Sequence, residues 1–120
     1  MTAGETTAHE LYRQASTGAF RMEVPAARKC AANFLRFADC LDSHIDRSAR
    51  LRTLSGFGDF DSAHQLRRGF EDKGTQLTET LTALQDSALR MAAAYLLAAG
   101  LIEATDHSHA RPLLAATAGL

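Results

Sequence analysis

A cluster of one carboxylate and two imidazoles, Asp106, His107 and His109, is the first place in this sequence where chemistry could reside. Such donors suit zinc or nickel, but a structural metal site wants four ligands braced by outer hydrogen bonds. These three lie where a helical pattern frays, with no further Cys or His reliably near, so they are read as solvated polar residues. His44 falls on a helix stripe, where a hydrogen-bonded, half-buried histidine is the ordinary reading. Asp39, Asp42 and Asp46 are spaced three and four apart on the polar side of the same helix, the pattern of a solvated face. The E-x-x-H pattern of di-metal bundles is absent.

Nucleophiles fare no better. No Ser or Cys has a His and an acid at a spacing that would activate it, and Gly56-Phe57-Gly58 is too short to cradle a phosphate. Arg47, Arg50, Arg52, Arg67 and Arg68 gather near the middle of the chain, yet Asp59, Asp61, Glu71 and Asp72 lie among them. Cys30 and Cys40 are ten residues apart on one predicted helix. At 1.5 Å per residue that is roughly 15 Å, beyond disulfide reach, so both are expected as free thiols. The expectation is a chain with no catalytic residue, no metal and no cofactor, hence not an enzyme.

The elements that would position any site are helical. The 120 residues are rich in Ala, Leu, Arg, Glu and Gln, with two prolines and no Trp. The net charge of −1 gives no global reason to expect nucleic acid as partner. Met1 to Thr7 is polar and is followed by no long apolar stretch, so no cleaved signal peptide is expected. The longest apolar run, Met91 to Ile102, falls short of the roughly 18 residues of a membrane span, and no membrane span is expected.

Ala27, Ala31, Phe34, Ala38, Leu41, Ile45 and Ser48 alternate steps of four and three, the seam of a helix over 24–52. Cys30, Phe37, His44 and Leu51 form a second stripe beside it, wider than a two-stranded coiled coil needs. Pro25 suits the first turn and the arginines near 50 suit the last. Turn chemistry gathers over Thr53 to Asp61, with Gly56, Phe57, Gly58 and Phe60 as a hairpin loop. Ser62 with Gln65 matches a capping box, with Asp61 as the other possible cap, so a second helix is expected over 62–106. Leu66, Phe70, Leu77, Leu81, Leu84, Ala88, Met91, Tyr95, Ala98 and Ile102 carry its heptad rhythm. Gly69 and Gly74 inside it suggest close helix approach, with a local irregularity of the helix as the alternative.

At 1.5 Å per residue the second helix would be about 67 Å long and the first about 43 Å, so the Met91 to Ile102 end overhangs. Two covers are expected to be used: a partner chain, and the N-terminal segment, in which Ala8, Leu11, Ala15, Ala19 and Met22 keep helical spacing and would lie antiparallel to the overhang. Gly18 and Pro25 would break or bend that segment. The fold expected is therefore all-α: an antiparallel helical hairpin of two long helices with a short N-terminal helix, giving a four-helix bundle on dimerisation. The organisation is 1–23 as an N-terminal segment, 24–106 as the hairpin domain and 107–120 as a flexible tail that contains Pro112 and loses the heptad. The expected partner interface is Phe34, Leu41, Ile45, Leu66, Phe70, Leu77, Leu84, Met91 and Tyr95.

The loop residues Gly56-Phe57-Gly58, Phe60 and Ser62, then Leu66, Phe70 and Lys73, set between two long amphipathic helices, resemble the actinobacterial branch of the WxG-type helical-hairpin proteins of type VII (ESX) secretion. The resemblance covers roughly residues 24 to 106. It implies a non-enzymatic protein that forms antiparallel four-helix bundles as a homodimer or heterodimer. Such a protein is exported without a cleaved signal peptide, or helps a secreted effector to be recognised. The chain has no Trp, so Phe57 or Phe60 would fill the pocket of the family's aromatic. The family's export signal, a Tyr followed four residues later by an acid, is not matched at Tyr95, which is followed there by Ala99; a partner would then carry the signal. The competing expectation is a cytoplasmic helical adaptor or antitoxin-like binding module.

Overall fold

Glu23 accepts the first main-chain hydrogen bond of a long helix, from the Ala27 N–H at 2.9 Å, and Pro25 stands in that first turn, where its missing N–H costs nothing. The computed structural model describes residues 3–104 and 110–120. Among them it is all-helical: α1 (Ala3–Thr17), α2 (Val24–Ala49), a 3₁₀ turn (Arg50–Arg52), α3 (Asp61–Ala98) and α4 (Arg111–Ala118). The two long helices α2 and α3 pack against each other.

The helix starts and stops have local causes. α3 begins one residue ahead of the expected capping box: Phe60 accepts the first bond, from the His64 N–H, and Asp61 supplies the acid of the first turn. α3 ends at Ala98, short of the expected 106, because Gly100 takes the left-handed conformation at φ +72. Its N–H then bonds the Leu97 carbonyl at 3.0 Å and the Leu101 N–H bonds that of Leu96 at 2.9 Å, closing the last turn. The tail expected to be flexible carries α4 instead. Pro112 opens this helix rather than breaking it, and Leu114 and Ala118, four apart, bury one face. Residues 105–109, which hold the end of the expected second helix and the first part of that tail, lie outside the described residues.

Two compact units divide the chain, Met1–Asp39 with Ala83–Leu120, and Cys40–Thr82. The first contains the main core: Ala31, Leu35, Ala38, Leu89, Ala92, Leu96, Leu114 and Ala118. Half of these are alanines, which let helices approach closely but bury little area each. Leu35, Leu96 and Leu114 are the large side chains fully removed from water, each contributing about 1.5–3 kcal/mol. α1 adds Ala8 and Ala15. Gly4 and Thr7 share a cavity with Leu84 and Met91, while Ala15 to Thr17 share one with Leu97 to Gly100, so α1 runs parallel to this half of α3. The antiparallel arrangement expected from the sequence fails because the stretch 18–23 reverses the chain before α2 begins, with Gly18 at φ +81. The Met22 N–H bonds the Ala98 carbonyl at 3.1 Å and fixes that reversal.

The second unit is a hairpin of two helix segments. Ser48 Oγ and Thr78 Oγ1 lie 2.7 Å apart in its buried seam; one hydroxyl donates to the other, which donates in turn to a carbonyl of its own helix, Ile45 for Ser48 or Gly74 for Thr78. This buried bond between the two segments favours one register, since sliding either helix breaks it.

A candidate interaction surface on the second long helix

Which residues of α3 face inward decides what the protein can do. Buried positions run Gly74, Thr78, Gln85, Ala88, Leu89, Ala92, Ala93, Ala94, Leu96 and Ala98. These are mostly small or polar. The bulkier apolar residues, Phe70, Leu77 and Leu84, recur every seven residues and keep 53%, 44% and 42% of their surface exposed. Since 3.6 residues make a turn, a residue one position away points about 100° off, and these large side chains lie beside the internal seam rather than in it. Polar and close-packing contacts suffice inside. Gln85 Nε2 donates to the Ala38 carbonyl at 2.8 Å, and a β-carbon at Gly74 would stand 2.4 Å from Leu51 Cβ.

In the Cys40–Thr82 unit, Leu41 is buried, Ile45 is half-buried, and Leu66, Phe70 and Leu77 are exposed. Leu41, His44, Ser48, Leu51, Leu77 and Leu81 border an open groove of about 620 Å³ together with Arg47. The loop is pinned from α3: Glu71 accepts from the Leu54 N–H at 2.7 Å and sits 3.8 Å from Arg67 Nε. Gly56 and Gly58 adopt φ +87 and +95, conformations that a side chain makes costly. Phe57 folds back on Phe70, ring centroids 6.1 Å apart, while Phe60 is 80% exposed. The two loop aromatics are thus unequal: Phe57 has an internal contact and Phe60 faces solvent.

In the other unit the expected interface residues are partly spent within the chain. Phe34 stacks on Tyr95 at 5.7 Å and Phe20 meets the same ring edge-on at 6.0 Å. Burial, with a smaller contribution from the Cys30 thiol, pushes the Tyr95 phenol above its ordinary pKa. Met91 is half-buried, and with Phe34, Phe37 and Leu84 it lines an apolar cavity of about 240 Å³. Phe37 and Leu51, exposed in their respective units, extend the apolar surface beyond the residues expected. Their heptad spacing with His44 was the signal for them. Ser48 was legible as the last position of the α2 seam, whereas its partner Thr78 had no such signal, because an isolated hydroxyl reads equally well as solvent-facing.

His44, Asp39, Asp42 and Asp46 are all exposed, and Cys30 and Cys40 are free thiols. Among the described residues there is no group of three or more His, Cys, Asp or Glu placed to hold a metal ion. The Asp106, His107 and His109 cluster lies outside the described residues. No described helix is long and apolar enough to cross a membrane.

Fold and surface together define an all-helical protein built on two long packed helices, with large apolar side chains displaced from the internal seam. No family model, no curated protein and no solved structure matches the chain.

Proposed function

We propose that this chain acts without catalysis, by pairing with another helical protein through the outward residues Phe70 and Leu77 of α3, flanked by Leu66 and the exposed loop residue Phe60. The single observation that carries the reading is the offset just described. A self-contained two-helix hairpin gains most by turning its large apolar residues inward, because burial is worth about 25 cal/mol per Å². Here the inward positions hold Gly74, Thr78 and Gln85, and the large residues remain at the surface in a helical repeat. A second pair of helices laid on that stripe makes a four-helix bundle, as a homodimer or as a heterodimer with a related protein.

The glycine-aromatic loop between two long helices further supports a role in type VII (ESX) secretion, either as an exported pairing protein or as the targeting partner of a secreted effector. Replacing Leu77 by Asp tests the pairing. Association should be lost while the circular dichroism of the helices is retained, because Leu77 is not part of the core. Culture filtrate free of lysis markers tests the secretory role. Finding the chain only inside the cell would leave an adaptor or antitoxin-like module as the reading of the same surface.

A further inference from the structure

We infer that the occupant of the exposed face of the Cys40–Thr82 unit is a different protein, a helix that brings carboxylates to this face, rather than a second copy of this chain; the inference rests on the pairing reading above. The face is apolar but not neutral. Lys73 falls three residues after Phe70, four before Leu77 and one heptad after Leu66, so it stands inside the apolar stripe and not beyond its edge. It is exposed, as are those three residues. A single lysine in such a seam lowers the stability of the covered state, and its use is to select the partner and its register.

A second cation comes from the other helix of the unit. Leu77 belongs both to the stripe and to the open groove of about 620 Å³, whose titratable lining residues are His44 and Arg47 of α2. Ser48 meets Thr78 across the seam, which sets Arg47 level with the turn after Leu77, roughly 8 Å along α3 from Lys73 at 1.5 Å per residue. Arg47 is exposed, and neither it nor Lys73 forms an ion pair among the described residues.

The acids of this unit are placed elsewhere. Glu71 accepts from the Leu54 N–H and lies beside Arg67, while Asp61, Asp72 and Glu79 stand about 100° or more around α3 from Lys73. Asp59 belongs to the loop, and Asp42 and Asp46 of α2 do not line the groove. Two copies laid stripe on stripe would therefore enclose like charges, stripped of water with no carboxylate to receive them. A helix with glutamates or aspartates along the borders of its own apolar seam meets both cations and covers the same apolar side chains. The net charge of −1 gives the chain no general attraction for such an acidic helix, so the preference is a property of this face.

The test uses the full chain and two synthetic four-heptad peptides with the same leucine seam, one bordered throughout by glutamate and the other by lysine. Fluorescence anisotropy should show the glutamate peptide binding about tenfold or more tightly than the lysine peptide in low salt, with the gap closing as salt rises. Reversing both cations, Arg47→Glu with Lys73→Glu, should invert the preference, and Leu77→Asp should abolish binding of either peptide. Both reversed positions are exposed, so the circular dichroism of the double variant should match that of the wild type. Should it fail to fold, Lys73→Gln alone decides, and is expected to narrow the gap about threefold or more. Equal binding of the two peptides, a preference for the lysine peptide, or a preference that survives these substitutions overturns the carboxylate-bearing partner and leaves pairing itself standing. So does a wild-type chain that forms a persistent dimer alone. Binding of neither peptide by a chain that stays monomeric overturns the pairing reading and this inference together.

Discussion

Gly69 and Gly74 sit five residues apart on α3, and a methyl group added at each meets opposite surroundings. At Gly69 there is open space, so Gly69→Ala should raise stability by roughly 0.5–1 kcal/mol through lower chain entropy in the unfolded state. At Gly74 the new carbon would stand 2.4 Å from Leu51 Cβ and 3.0 Å from the Leu51 carbonyl, part of it unyielding backbone. Gly74→Ala should therefore lower stability by about 1–3 kcal/mol despite the better helix propensity of Ala. Urea unfolding of the two variants reads both signs. Tyr95 offers a pH test of the core of the other unit. Its raised pKa means that the folded state favours the neutral phenol, so this contribution is fully present below the ordinary value of 10.0 and is lost as pH climbs through the raised value. In a Tyr12→Phe background, titration of the phenolate absorbance should show Tyr95 ionising above free tyrosine, and Tyr95→Phe should flatten that alkaline loss of stability.

At the scale of elements, periodicity carried the two long helices because it depends only on which residues repeat. Ala27, Ala31, Ala38, Leu41 and Ser48 are buried as their spacing requires. On α3 the apolar rhythm was legible but its direction was not. The heptad of Phe70, Leu77 and Leu84 is the more hydrophobic stripe, and hydrophobicity alone would turn it inward; the internal seam runs instead through Gly74, Thr78 and Gln85, where close approach and hydrogen bonds decide. Gly69 looked like a second close approach and is not one, because a glycine in a sequence does not tell which face it lies on. α4 was hidden for a related reason: eight residues with one proline show too short a period to separate from a frayed tail. What makes α4 stay is burial of Leu114 and Ala118. Leu114→Ala should accordingly cost about 2–5 kcal/mol and raise hydrogen exchange over 111–118 first.

The whole molecule combines an alanine-lined core, which α1 and α4 complete in cis, with a two-helix unit whose large apolar residues Leu66, Phe70 and Leu77 are left to solvent. Exposed leucines scattered singly need no explanation, but a heptad of them along one helix does. The candidate interface could be read from the sequence as a set of residues; which of them pack on each other within the chain, as Phe34 and Tyr95 do, and which stay exposed, as Leu84 does, could not, because a repeat alone does not say which neighbour a residue meets. If the chain pairs with itself, light scattering of the purified protein across a dilution series should give a particle of twice the 13.0 kDa chain mass that persists on dilution and falls to one chain in Leu77→Asp. A well-folded particle of 13.0 kDa at every concentration, with stability indifferent to Leu77→Asp, would overturn the homodimer and leave a different helical protein as the one occupant of this surface.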